Sequence, residues 1–296
     1  MKISGNKTAP RAAKKKKRRW PFILIALALI ITALLLDSAN RLVVTDYELS
    51  YESLPEGFDG YRILQLSDLH RKQFGDDNSR LLEAVEENNP DIIVLTGDFI
   101  NRALSGKASN QSEELRFFLE KLPDIAPCYF VSGNHDWASL EISALSTLLG
   151  ECGIKYLHNE FVFLEKGGDS IILAGVEDPN GSADMTKPDE LVQYMNTAYP
   201  DKFAVLLGHR NDWLEKYPEL DVELILSGHA HGGVVRLPLI GGVFGTNLDL
   251  FPKYDAGLFN EGGYDLILSR GLGNFNAIPR FLNNPEVVCV TLRKGR

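Results

Sequence analysis

Five times along this chain a short apolar run delivers one small residue and then a side chain able to bind a metal ion. Ile63-Leu64-Gln65-Leu66-Ser67 runs into Asp68-Leu69-His70, and Ile92-Ile93-Val94-Leu95-Thr96 into Gly97-Asp98. Tyr129-Phe130-Val131-Ser132 leads to Gly133-Asn134-His135-Asp136, Ala204-Val205-Leu206-Leu207 to Gly208-His209, and Leu224-Ile225-Leu226-Ser227 to Gly228-His229-Ala230-His231. Runs this short and this apolar read as strands buried on both faces. In an α/β sheet, ligands gather beyond the carboxyl ends of the strands, so the five clusters are expected to converge on one crevice. A glycine ahead of the ligand permits a sharp turn and a close backbone approach.

The strand-like segments are Tyr61–Ser67, Asp91–Thr96, Cys128–Ser132, Ser170–Gly175, Phe203–Leu207, Val222–Ser227, Tyr264–Ser269 and Glu286–Leu292. Helical spacing of apolar residues appears over Asp77–Asn89, Gln111–Leu122, Leu140–Leu149 and Pro188–Thr197. Alternation of strand and helix predicts an α/β domain with helices covering the sheet faces. The later strands have fewer helices between them, which predicts a second sheet packed on the first. No linker divides residues 42–296.

Charge is unevenly spread. Residues 1–41 carry ten Lys/Arg against one acid, whereas the remaining 255 carry 21 against 39, a net of −18. The globular part is therefore a poor electrostatic match for nucleic acid. Lys14–Arg19 is an unbroken run of six cations, read as a topology signal, with lipid-headgroup binding a lesser alternative. Trp20-Pro21 and the fifteen residues Phe22–Leu36 follow, with Thr32 alone polar in that stretch. Residues 1–19 thus read as a basic cytoplasmic arm and 20–37 as a transmembrane anchor or a signal segment. Either reading places residues 42–296 outside the cytosol, as a single-pass membrane protein or as a domain exported after cleavage. Leu36-Asp37-Ser38-Ala39-Asn40 matches an Ala-x-Ala cleavage site poorly, and Arg18-Arg19 resembles a twin-arginine signal imperfectly. Cys128, Cys152 and Cys289 are far apart and lack metal-site spacing, so they read as free thiols.

The donors at the strand ends are carboxylate, imidazole and amide, without thiolate, a set suited to Mn, Fe or Zn. Seven of them are too many for one tetrahedral zinc. They suit two divalent ions sharing a carboxylate, roughly 3.5–4 Å apart, the arrangement that clamps phosphoryl transfer.

In order, Asp68-x-His70, Gly97-Asp98, Gly133-Asn134-His135-Asp136, Gly208-His209 and Gly228-His229-Ala230-His231 resemble the full motif series of the calcineurin-like metallophosphoesterases. The resemblance spans about residues 60–235, and Arg270-Gly271-Leu272-Gly273 with the anchor makes it look closer to the membrane-associated bacterial branch. It implies two mixed β-sheets packed as a sandwich, flanked by helices and preceded by the amino-terminal helix. It also implies metal-dependent hydrolysis of a phosphate mono- or diester at a binuclear centre. One ion would be held by Asp68, His70 and His231 and the other by Asn134, His209 and His229, with Asp98 bridging. His135 would contact the substrate phosphate and assist the leaving group. Arg71, Arg102 and Arg210 flank the motifs as substrate-binding candidates, with surface solvation an equal alternative.

One departure bears on His135. Protein-phosphatase members carry an Asp-Arg pair that supports the catalytic histidine, whereas here the corresponding place reads Phe99-Ile100-Asn101-Arg102. The charged partner is missing, which leaves the orientation of His135 open, with Asp136 a candidate to compensate. Lipid-linked or cell-envelope phosphodiesters fit the location of the domain. The competing class is a non-catalytic metal-binding scaffold or sensor of the same fold, against which a histidine not needed as a ligand, His135, is the argument. His158 reads as a surface or satisfied histidine, Gly241–Gly245 as a turn, and the apolar, glycine-rich stretch Arg236–Phe251 as a flap near the site or a membrane-facing segment.

Overall fold

The apolar runs pair into two six-stranded sheets, in a computed structural model that describes residues 19–104, 106–182, 185–246, 249–274 and 278–295. The basic arm from Met1 to Arg18, including most of the cation run, lies outside the described residues. In chain order the strands are β1 (Val43–Tyr51), β2 (Arg62–Leu66), β3 (Ile92–Thr96), β4 (Cys128–Val131), β5 (Lys155–Tyr156), β6 (Glu160–Lys166) and β7 (Asp169–Gly175). They continue as β8 (Ala204–Leu207), β9 (Leu224–Ser227), a short pair β10 (Arg236–Leu237) and β11 (Gly241–Gly242), β12 (Gly257–Phe259), β13 (Asp265–Leu268) and β14 (Glu286–Lys294). The helices are α1 (Trp20–Asn40), α2 (Ser79–Glu87), α3 (Arg116–Ile125), α4 (Asn134–Ala138), α5 (Ile142–Glu151), α6 (Pro188–Ala198) and α7 (Trp213–Lys216).

The first sheet runs β1-β14-β2-β3-β4-β5 and the second β12-β13-β9-β8-β7-β6. Both are mixed. β2, β3, β4 and β5 are mutually parallel with β14 antiparallel to β2, while β7, β8, β9 and β13 are parallel with β6 and β12 antiparallel at the edges. Parallel strands must send every carboxyl end to the same side, and here those ends carry the five motifs.

Alternation along each strand builds three apolar layers. Ile63, Ile92, Val94, Val205, Leu207, Leu224 and Leu226 point between the sheets. Leu64, Ile93 and Leu95 point outward and are covered by Leu81 and Val85 of α2, Phe118 and Leu119 of α3 and Leu145 of α5. Ile172, Leu206 and Ile225 point to the other outer face, under Leu191 and Met195 of α6 and Trp213 of α7. The predicted helix-covered sandwich is present, and its central strands are buried on both faces.

Four strands of the two sheets, β1, β5, β6 and β12, escape a search for apolar runs, and each has a neighbour on one side alone. Edge strands can carry the polar residues that central strands exclude. The three cysteines are free, with Cys128 and Cys289 buried. His158 is satisfied, its Nδ1 lying 2.6 Å from Glu177 Oε1.

α1 is 21 residues of exposed apolar surface, long and apolar enough to cross a membrane. Its last carbonyls are held by the domain. Asn284 Nδ2 donates to Asp37 O at 2.9 Å, Lys72 Nζ to Ala39 O at 2.5 Å, and Arg80 Nη2 to Asn40 O at 3.2 Å. Cations on the carboxyl end of a helix satisfy its orphan acceptors and oppose its negative dipole end.

The middle layer holds the sandwich together. Leu173→Ala, at a fully buried position between the sheets, is expected to cost about 2–5 kcal/mol, and Leu258→Ala, exposed on edge strand β12, less than about 0.5 kcal/mol. Urea unfolding of the full chain in detergent measures both.

Candidate metal centre

At the carboxyl ends of β2, β3 and β9 the chain leaves its strand through an unusual backbone state. Asp68, His70, Asp98, His229 and His231 have φ of 52°, 48°, 57°, 69° and 48°. Non-glycine residues rarely adopt this left-handed region, and holding one there costs of order 1–3 kcal/mol. Five such residues around one crevice mean that the surrounding structure forces them there. Glycine serves a second need, that of space. A Cβ on Gly133 would sit 2.2 Å from Asp98 Oδ1, and one on Gly228 would sit 2.4 Å from Asp68 Oδ2. At Gly133 and Gly228 a neighbouring carboxylate occupies the volume of a side chain, and at Gly97 and Gly208 the Gly133 backbone and the Trp213 ring do so.

The donors meet in overlapping sets. Asp68, His70 and His231 bring ligand atoms within 4.8 Å of one another, and so do Asp98, His209 and His229. Asp98 joins them: its Oδ2 lies 3.2 Å from His209 Nε2 and 3.8 Å from His70 Nε2. His70, Asp98 and His135 form a third such set. Asn134 adds a buried Oδ1 that has no hydrogen-bond partner. An orphaned buried acceptor beside two buried carboxylates and four imidazoles fits divalent cations, which would satisfy all of them at once. All seven residues predicted as ligands, and His135, are therefore brought to one place.

Outer contacts orient these groups. His209 Nδ1 lies 2.8 Å from Thr96 O, and His70 Nδ1 lies 3.0 Å from Asn101 Oδ1. Each contact takes Nδ1 as the donor and turns Nε2 toward the crevice. Asp68 accepts from Ser67 Oγ at 2.6 Å and from the His229 amide at 3.1 Å. Asp98 Oδ1 accepts from the His135 amide at 2.7 Å.

Asp136 does not touch the His135 ring. Its carboxylate accepts from the amides of Asp98 (2.7 Å), Phe99 (3.0 Å), Ile100 (3.2 Å) and Gly133 (2.8 Å), clamping the turn after β3 to the turn after β4. His135 is oriented instead by backbone: the Arg102 amide donates to its Nδ1 at 3.3 Å. With Nδ1 accepting, the ring proton of neutral His135 belongs on Nε2. Asn101, which stands where the charged partner was missing, supports His70.

Electrostatics follow from burial. Desolvation pushes His70 down to about 4 and holds His229 and His231 well below the ordinary histidine range, so these rings are neutral at neutral pH. Desolvation also raises Asp68 to about 6 and Asp136 to about 7. At His209 burial works against the charged form, but the Asp98 carboxylate outweighs it and raises the ring to about 10. Burial likewise opposes the Asp98 anion, and His209 overcomes it, holding that carboxyl well below its usual range. Burial lowers His135 too.

The arginines divide. Arg210 forks onto Asp178 at 2.6 and 3.0 Å with one nitrogen 3.5 Å from His229 Nε2, so its guanidinium is largely engaged at the rim. Arg71 pairs with Glu114. Arg71 and Arg102 line a groove of about 600 Å³ with Lys72, Lys107, His70 and His135. Lys72 and Lys107 carried no motif and were not singled out by sequence.

Gly133→Ala should weaken Mn²⁺ binding by the full chain at least about tenfold, the size of effect typical of disturbing a ligand's support. Gly150→Ala, on α5 with open space at its Cβ, should leave affinity unchanged. Calorimetric titration of both variants measures this.

The model of the calcineurin-like phosphoesterase family matches residues 61–233. The chain is 28% identical over 315 residues to a transmembrane protein with metallophosphoesterase domain from Danio rerio, across 96% of this chain and 66% of that protein, just under two thirds of its length. It is 27% identical over 262 residues to the uncharacterized metallophosphoesterase YkuE of Bacillus subtilis, across 86% of each. To phosphodiesterase YaeI of Escherichia coli it is 29% identical over 237 residues, across 78% of this chain and 82% of that one. A motif series in the family's order, donors gathered at the strand ends of a two-sheet sandwich and the match over residues 61–233 agree: the chain belongs to the calcineurin-like phosphoesterase family of phosphoric ester hydrolases.

Proposed function

We propose that residues 42–296 hydrolyse phosphate mono- or diesters at a centre for two divalent cations, with Mn, Fe or Zn as the ions the donors suit. The observation that carries this reading is Asp98, one buried carboxylate within reach of both donor sets, 3.2 Å from His209 and 3.8 Å from His70. Asp68, His70 and His231 would hold one cation, and Asn134, His209 and His229 the other, with Asp98 shared. When bound, the cations supply Lewis acidity and neutralise the charge of the phosphate.

The chain's own groups do the rest. His135 presents Nε2–H, because the Arg102 amide occupies Nδ1, and gives that proton to the departing ester oxygen. Arg71, Lys72, Arg102 and Lys107 draw the anionic substrate into the groove beside His135. Arg210, already neutralised by Asp178, walls the other side of the centre. The amino-terminal segment is an anchor, with residues 1–19 in the cytoplasm and the catalytic domain on the extracytoplasmic side. A lipid-linked or cell-envelope phosphate ester is the substrate class that this location favours.

Purified full chain in detergent, supplied with Mn²⁺, is expected to hydrolyse a chromogenic phosphodiester or its monoester and to stop when the metal is chelated. His135→Ala should lower kcat by about 10²–10⁴-fold while retaining bound metal, whereas Asp98→Asn should lose both. Wild-type turnover in His135→Ala contradicts the role given to that ring. Metal-loaded wild type that turns over neither ester is the behaviour of a metal-binding scaffold.

A further inference from the structure

The hairpin that reaches the metal centre carries apolar side chains on its opposite, solvent-facing side. It leaves the His231 turn, pairs Arg236–Leu237 with Gly241–Gly242 and closes through a bridge between Phe244 and Leu250. Its inner side touches the site: Thr246 Oγ1 lies 3.2 Å from His229 Nε2. Its base is stapled by Asp255, which accepts from Arg236 Nη1 at 3.0 Å and from the Gly242 amide. Its outer side leaves Leu239 108%, Ile240 59%, Leu250 64% and Phe251 57% exposed. Single exposed apolar residues are ordinary, but four on one hairpin mark a surface that has a partner.

The position of α1 says which partner. Asn284, which holds Asp37 at the end of α1, follows Asn283, whose Nδ2 donates to His231 O at 2.8 Å and Val234 O at 2.9 Å. Just before it, Phe281 bridges Val235 and accepts from the Arg236 amide at 3.0 Å, and Leu282 is exposed. One short strip of chain therefore connects the end of the apolar helix, the His231 turn and the base of the hairpin. On the opposite flank, Lys72 lines the groove of the metal centre and also caps α1 through Ala39. Leu104, 92% exposed, lines the same groove beside Arg71, Arg102 and Lys107. Apolar tips with cations behind them, around the point where an apolar helix emerges, have the composition of a bilayer-contacting face.

We infer that Leu239, Ile240, Leu250 and Phe251 of this hairpin, with Leu104 and Leu282, dock into the bilayer that holds α1, so that the groove opens onto the lipid headgroups. Resting on the phosphoesterase reading above, this names the substrate as an amphiphile whose phosphate lies at the membrane surface and whose apolar part stays in the lipid.

The test uses the full chain in vesicles of phosphatidylcholine and phosphatidylglycerol. An environment-sensitive fluorophore is attached at Leu239→Cys or Phe251→Cys in a Cys152→Ser background, with Glu165→Cys as control. Glu165 is exposed beside the β6–β7 turn, at the end of the second sheet away from the centre. Lipid-borne quenchers should quench the probes at 239 and 251 and leave the probe at 165 unaffected. Equal, water-like behaviour at all three positions overturns the docking. A Leu239→Asp/Phe251→Asp variant, which removes two apolar anchors, should hydrolyse an acylated chromogenic phosphodiester in the vesicle at least about tenfold more slowly, with its rate on the soluble ester unchanged. Equal rates on the vesicle ester overturn the substrate assignment. If wild type cleaves neither ester, the phosphoesterase reading is what fails, and the quenching still decides the docking.

Discussion

The two sheets are pinned together at their carboxyl edge by residues among the candidate metal donors. His209 from the second sheet hydrogen-bonds Thr96 O at the end of β3, and the His229 amide bonds Asp68 beyond β2. Beneath them the buried Gln65 Nε2 reaches Thr96 Oγ1 at 2.9 Å and Ser227 O at 2.8 Å, tying β2 and β3 to β9. The layer between the sheets is mainly apolar, with Tyr51 on Asp265 and Lys166 on Asp91 linking the sheets at the opposite rim, and the directional bonds at the carboxyl edge fix the relative register there. The distances among Asp68, Asp98 and the four histidines follow from it. Strained backbone at five of these residues and two desolvated carboxylates are costs that cation binding can offset, because such binding is coupled to the stability of the folded state.

The same economy explains how the His135 ring is oriented without a carboxylate behind it. In this chain the carboxylate of Asp136 is spent on four amides and sets the separation of the turns after β3 and β4. The resulting geometry places the Arg102 amide on His135 Nδ1. A backbone donor selects the tautomer as surely as a side chain does, though it does not raise the basicity of the ring. Asn101 is neutral where related enzymes carry a charge, and it supports the ligand candidate His70. The substitution therefore shifts support from one histidine to another.

What could be read from the sequence was what burial dictates. The central strands β2, β3, β4, β8 and β9 are buried on both faces, so they appear as apolar runs, and their ends announce the donors. The four edge strands β1, β5, β6 and β12 stayed hidden because edge strands are short or mix polar and apolar residues. The eight residues expected at the site converge, since each follows directly from a strand end. The supporting groups were not legible in the same way: Thr96 acts through its carbonyl, Asp136 through contacts with amides of another turn, and Lys72 through a groove assembled from separate loops. Those roles depend on tertiary proximity that no local spacing encodes. The docking of α1 on Lys72, Arg80 and Asn284 is of the same kind.

The central claim is that one carboxylate, Asp98, joins two cation sites. Elemental analysis of full chain loaded with Mn²⁺ and freed of loose metal tests it most directly, alongside Asp98→Asn treated identically. The account predicts two ions per chain in the wild type, as expected for a centre with a shared carboxylate, and the loss of bound metal in the variant. A single ion in the wild type, or a variant that keeps both, would contradict it.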